Sequence, residues 1–403
     1  MSDIKTKAIF YAYSNNALDQ LAPYVFLCHQ KKMNCVVIYG EDFAKQKVRP
    51  RNNIIKIFKD YNINTYNITN VGKKGFIQFI FSYIWCLAII IESYQFIPNF
   101  FKSKIKGLTN RIFQFLDGEL IGKNAAIKLL KNNEKVLVFT DNWDLRKKFQ
   151  NGFLSYIKDK ETIISTNQVP YHFHNPAWQK PNNWGKEDIA LVANHWEAAD
   201  KTFIDRKVVI GNLRYSKKWS TILDDYSMEK ISNIGHKKNV LVLTHTESHT
   251  SDWERMLELL RELNRKEDIN LCILPHIRGM INMKPPKDLE KVWDKTTTLD
   301  VAVKKSDIII FWESSGIFEA VLRNKKIFFL SFLTLRKFIW ENNAPKNMMI
   351  KNEKELFDAL NNYNENDVID NHCFEEIIWS EGDPWLNASN FLDEFLNSDH
   401  LNM

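Results

Sequence analysis

Asp307-Ile308-Ile309-Ile310-Phe311, then Trp312-Glu313-Ser314-Ser315-Gly316, then residues 317–330, reads as strand, turn, helix and strand. The first five residues form a short apolar run of the kind that becomes a strand buried on both faces. Ile317-Phe318-Glu319-Ala320-Val321-Leu322 reads as a helix, and Lys326-Ile327-Phe328-Phe329-Leu330 as the next parallel strand. The turn therefore falls at the carboxyl edge of a sheet, where open α/β folds bind their ligands. Two hydroxyls, a glycine and the free N–H groups of a helix start suit a phosphate. The plainer reading is a serine that caps a helix.

Working outward, strands are expected at 239–243, 270–274, 307–311 and 327–330, with helices at 252–265, 299–304, 318–322 and 353–360. Upstream, 7–13, 35–39, 135–140, 162–165, 189–193 and 207–210 read as strands, and 52–57 as a further strand of the same sheet. Helices are expected at 18–31 and from Trp143. The alternation predicts an α/β protein of two Rossmann-like doubly wound domains facing an interdomain cleft. The domains are set at 1–211 and 212–375, and residues 376–403 supply a helix that packs back on the first.

A chain of 403 residues, 44% hydrophobic with 13 glycines and 11 prolines, has the composition of a packed two-domain protein rather than a disordered one. Its 55 Lys and Arg against 49 Asp and Glu leave a formal charge of +6, and no nucleic-acid module accompanies that excess. The cysteines, Cys28, Cys35, Cys86, Cys272 and Cys373, form no C-x-x-C pair, which predicts reduced thiols in a cytoplasmic protein. The N-terminus is expected to run straight into a strand, with no signal peptide read in it. Residues 76–91 are almost wholly apolar between basic flanks, and their 16 positions fall short of a bilayer span of about 20. They read either as a core helix or as a helix in the membrane interface, which would make 76–106 a peripheral contact at the inner face of the plasma membrane.

Chemistry-bearing residues gather at the predicted strand ends. His276 follows the strand at 270–274 and, with Ser314 and Ser315, can bond a phosphate; Glu313 or Glu319 can accept from ribose hydroxyls. Gly211-Asn212-Leu213-Arg214 follows another strand, so that Arg214 can pair with a phosphate or remain a loop arginine. His245 and His249 flank Glu247 like a metal set on paper, but their spacing follows a strand rather than a helix, so no metal is expected. The stretch reads instead as imidazoles and hydroxyls lining the interdomain cleft, with His245 among the nucleotide-binding candidates. In the first half His172 or His174 can take a proton from an acceptor hydroxyl, and Asp141 or Asp144 are the carboxylate alternatives. No G-x-x-x-x-G-K-[ST], G-x-G-x-x-G or G-x-S-x-G occurs.

Two α/β halves, a Gly-x-x-Arg turn at their junction, Pro275-His276 after one strand and Ser314-Ser315 after the next resemble the GT-B glycosyltransferases. The closer likeness is to the surface-polysaccharide branch: capsular Kdo transferases, bacterial sialyltransferases with "HP" and "SS" motifs, and CDP-glycerol polymerases. Here the proline precedes the histidine. The resemblance runs in order through most of 135–397, and through the first 130 residues by architecture alone. It implies that His276, Ser314 and Ser315 contact the donor's phosphate and ribose, and that 169–172 is the acceptor-side histidine loop. The expectation is a metal-independent transferase moving a sugar, a CMP-linked acidic sugar favoured, from a nucleotide donor to a glycan or lipid-linked glycan, with no further cofactor. The alternatives are a UDP-sugar 2-epimerase of the same fold and a non-catalytic scaffold that binds glycan or lipid.

Overall fold

The computed structural model describes residues 6–12, 15–39, 52–67, 127, 129, 135–141, 162–166, 189–200, 206–226, 237–245, 247–276, 285–364, 370–380 and 382–397. The first half runs β1 (Thr6–Ala12), α1 (Asn15–Gln30), β2 (Asn34–Tyr39), α2 (Asn52–Asp60), β3 (Asn64–Asn67), β4 (Lys135–Asp141), β5 (Thr162–Thr166), β6 (Ile189–Val192), α3 (His195–Asp200) and β7 (Arg206–Val209). Its strands form one sheet in the order β3-β2-β1-β4-β5-β6-β7, and every pairing is parallel.

After α4 (Lys217–Asp225) the second half runs β8 (Lys238–Leu243), α5 (Trp253–Arg265), β9 (Ile269–Leu274), α6 (Leu299–Lys305), β10 (Ile308–Phe311), α7 (Ile317–Leu322), β11 (Lys326–Leu330), β12 (Met349–Ile350), α8 (Glu353–Asn361), α9 (His372–Trp379) and α10 (Pro384–Asn397). Its sheet has the order β12-β11-β10-β8-β9, again parallel throughout. The chain has two Rossmann-like doubly wound α/β domains, the GT-B architecture.

Burial explains the patterning. All four residues of β10 are buried, as a strand covered by helices on both faces must be. Helix α5 starts where the Asp252 carboxylate accepts from Arg255 N–H, and it sinks Met256, Leu257, Leu259, Leu260 and Leu263 into the core, an apolar stripe at helical spacing. Trp312, just beyond β10, is fully buried, and its indole N–H donates to Thr250 Oγ1 at 3.2 Å. That bond ties the loop after β10 to the loop after β8.

One strand expectation is corrected: 52–57 lies in a helix. Ile54, Ile57 and Phe58 are buried, while Ile55, Lys56 and Lys59 face solvent. This i, i+3, i+4 spacing belongs to a helix, and the short polar segment Asn64–Asn67 behind it becomes the edge strand. The apolar stretch 76–91 lies outside the described residues, among which no helix is long and apolar enough to cross a membrane.

The strand orders fix where ligands can lie. Connections reverse direction between β1 and β4 in the first sheet, and between β8 and β10 in the second. Crevices open at such switch points, outside the carboxyl ends of the strands. Helix α10 returns to the first half, with Ala388, Phe391, Leu392 and Phe395 buried in a cluster with Leu21, Val25 and Trp219. The crossover depends on Gly211, held at φ +81°, where an added Cβ would stand 2.7 Å from Pro384 Cγ and 3.0 Å from the Trp379 carbonyl oxygen. Gly211→Ala is therefore expected to lower stability by about 1–3 kcal/mol in urea unfolding. A loss under about 0.5 kcal/mol would show that the turn relaxes freely.

Candidate functional site

The loops leaving β8, β9 and β10 meet at the second sheet's switch point. The first brings His245 and His249, the second His276, and the third Glu313 to Gly316. His245 and His276 stack with ring centroids 4.3 Å apart and planes 22° from parallel, and His249 meets His245 edge-on at 4.4 Å. All of these rings are half-buried. They pack ring against ring, and among the described residues no group of His, Cys, Asp or Glu is arranged to hold a metal ion.

Glu313 lies beneath this layer, its side chain 1% exposed. Its Oε1 accepts from Leu335 N–H at 2.7 Å and from Thr334 Oγ1 at 3.1 Å, which pins the loop after β11 against the site. Its Oε2 makes no hydrogen bond and faces Arg336 Nε at 3.5 Å and His249 Nδ1 at 3.7 Å. Arg336 Nη2 in turn lies 3.3 Å from His249 Nδ1. The carboxylate thus holds one guanidinium beside a layer of imidazoles. Thr244 Oγ1, at the end of β8, is a second buried polar atom here without a hydrogen bond. Buried oxygens of this kind mark a place for water or a ligand.

The serine turn differs from its sequence expectation in one respect. Ser314 Oγ accepts from Gly316 N–H at 3.2 Å, and the N–H groups of Ile317, Phe318 and Glu319 donate to the carbonyls of Ser314, Ser315 and Gly316 at 3.2–3.3 Å. These tight i→i+3 bonds engage the donors expected to be free. Side chains remain: the half-buried Ser315 hydroxyl makes no hydrogen bond among the described residues. Gly316 sits against Leu299, whose methyls would lie 3.2 Å from an added Cβ.

Arg214 and Glu319 come together in the seam between the halves. Arg214 Nη2 pairs with Asp19 of α1 at 3.4 Å, and Nη1 reaches Asn16 Oδ1 at 3.5 Å. Burial alone would lower its pKa, but Tyr215, Asp19, Glu319 and Asp300 outweigh burial and leave it raised. Glu319 accepts from Arg323 Nε at 2.8 Å, and Arg323 clamps Asp224 of α4 through both terminal nitrogens at 3.0 Å. Burial nevertheless holds the Glu319 carboxyl above the usual carboxylate range, against the pull of Arg323 and Arg214. Asn53 Nδ2 donates to Asp300 across the same seam at 3.4 Å. Both charges are thus committed to partners from the two halves, a role that a Gly-x-x-Arg spacing does not reveal.

Among the first-half candidates, Asp141 is the last residue of β4, so it stands at the carboxyl edge where that sheet reverses. Asp144, His172 and His174 lie outside the described residues. Sequence reading also missed Arg336, which follows a strand at a distance where only the fold returns it to the site. Its signal was the Thr334-Leu335-Arg336 turn at a strand end.

No protein-family model matches the chain, and no curated protein matches it in sequence. Solved structures do match it in shape over nearly its whole length. A UDP-N-acetylglucosamine 2-epimerase superposes with TM-score 0.53 at 14% identity, over 97% of this chain and 95% of its own. The UDP-N-acetylglucosamine 2-epimerase from Rickettsia bellii gives TM-score 0.51 at 12% identity, over 97% and 96%. CalG4, the calicheamicin glycosyltransferase, gives 0.49 at 10% identity, over 98% and 99%. At such identities the likeness to the epimerases establishes the two-domain fold alone.

Proposed function

We propose that this chain is a nucleotide-sugar enzyme, a glycosyltransferase that takes an activated sugar, with a CMP-linked acidic sugar favoured, and passes it to a surface-glycan acceptor. The observation that carries this reading is the assembly at the second sheet's switch point. There His245 and His276 stack beside His249, Arg336 and His249 face the buried Glu313, and the turn after β10 carries the half-buried Ser315 hydroxyl. Imidazole and hydroxyl donors suit a phosphate, and the added Arg336 suits a donor that also carries a carboxylate. Ser314 and Gly316 shape the turn that presents Ser315. In this reading Arg214 and Glu319 brace the cleft floor instead of touching the ligand.

In transfer, the bond between the anomeric carbon and the phosphate oxygen breaks as the acceptor oxygen bonds to that carbon. The departing phosphate gains charge, and donors fixed in advance around it stabilise that charge most in the transition state. The acceptor's proton goes to a base on the first half, for which Asp141, Asp144, His172 and His174 are the candidates. A glycan or lipid-linked acceptor would enter from that side, and 76–106 is the segment proposed for peripheral membrane contact.

A second reading is a 2-epimerase acting on UDP-N-acetylglucosamine, the activity named for the solved structures that share this fold. One incubation separates the two. A CMP-linked acidic sugar should release nucleotide only when an acceptor glycan is present. Formation of an epimer from UDP-N-acetylglucosamine alone selects the second reading. Neither nucleotide release nor an epimer, across CMP- and UDP-sugars, contradicts both.

A further inference from the structure

A cavity of about 380 Å³ opens between α4, α6 and the start of β11. It is not part of the site described above. The donor site lies past the carboxyl ends of the second sheet's strands. This cavity lies at their opposite, amino ends, beside Lys304 before β10 and Lys325 before β11. Its volume falls in the range of small-molecule sites, roughly 300–1,000 Å³.

The lining carries an excess of positive charge. Lys217, Lys304, Arg323 and Lys325 face the space, against the single carboxylate of Asp224. Asp224 is already matched: Arg323 clamps it through both terminal nitrogens at 3.0 Å, and Lys304 lies 3.5 Å from it. Lys325 Nζ donates to the Lys304 carbonyl at 3.3 Å and Lys217 leans over the Trp379 ring at 5.9 Å, and among the described residues neither ammonium forms an ion pair with a carboxylate. Burial lowers the Lys325 pKa, Asp307 opposes that, and Arg323 adds to it. An excess of positive charge gathered in a concave space is unfavourable, and a bound anion relieves it.

We propose that this cavity is a second anion site, for a small phosphorylated metabolite bearing two or more negative charges, with Lys217 and Lys325 as the ammonium groups that hold it. Thr221, whose hydroxyl now donates to the Lys217 carbonyl at 3.0 Å, lines the same wall and can turn to a phosphate oxygen. Occupancy would be felt at the seam between the halves, because Arg323 in this wall also binds Glu319.

The test is a calorimetric titration of inorganic pyrophosphate into the full chain and three variants. Ser314→Ala with Ser315→Ala removes the serine hydroxyls of the proposed donor site, and pyrophosphate binding to the cavity is expected to survive it. Lys217→Ala with Lys325→Ala is expected to weaken binding about tenfold, while Lys217→Arg with Lys325→Arg keeps it within about threefold. Thermal unfolding of each variant confirms that it is folded. The proposal is overturned if pyrophosphate does not bind, if binding vanishes with the serine pair alone, or if removing both ammonium groups leaves it unchanged. None of these results depends on whether the chain transfers sugar.

Discussion

Arg214→Ala is expected to destabilise the chain by about 3–5 kcal/mol, the range for removing one partner from a buried ion pair. The loss comes less from the missing guanidinium than from what it leaves behind. Asp19 and Glu319 have side chains 7% and 6% exposed, and both carboxyls would stay in a seam that water barely reaches. Arg323 still answers Glu319, but Asp19 loses the partner 3.4 Å away. Urea unfolding checks the value, and Asp19→Asn added to Arg214→Ala should recover part of the loss, because the two residues are coupled. A loss below about 1 kcal/mol would mean that the seam is hydrated and that Arg214 remains free to serve a ligand.

Glu313→Gln is expected to leave the fold intact and to lower kcat/KM for the donor on the order of 100-fold. The amide retains an oxygen for Leu335 N–H and Thr334 Oγ1. On the other side it presents an NH₂ to Arg336 Nε and His249 Nδ1 in place of the Oε2 now 3.5 and 3.7 Å from them. A donor facing a guanidinium repels it, so Arg336 and the imidazole layer should shift away from the phosphate. Because Glu313 acts through those residues, the effect should fall mainly on the donor KM. A structural role alone would lower Tm instead. An unchanged KM with an unchanged Tm would contradict the bracing role.

The runs at 239–243, 270–274, 307–311 and 327–330 made the second sheet legible, because short, largely apolar runs bounded by polar residues have the length of buried strands rather than helices. Residues 52–57 misled for a local reason. Ile54 and Ile55 are adjacent, and only Phe58 with Ile57 shows that one of the pair faces the core and the other does not. The placing of candidate residues was legible where they directly follow a strand, as at His245, His276 and Ser314-Ser315. It was not legible where a residue's partner is brought in by the fold. Arg214 meets Asp19, nearly 200 positions earlier, and Glu313 meets the loop of Thr334 to Arg336. The same strand-end position that suggests a ligand contact also suits a structural ion pair, and only packing separates the two.

The central claim is that a nucleotide binds where His245, His276 and Ser315 converge. Titrating CMP, CDP, UDP and GDP into the chain by calorimetry, beside the Ser314→Ala, Ser315→Ala variant, tests it most directly. The account expects one of these nucleotides to bind the wild-type chain and to lose about tenfold or more in affinity in the variant, the scale of about 1.5–3 kcal/mol for hydrogen bonds to a charged group. Binding of none of them, or equal binding by a folded variant, would contradict it.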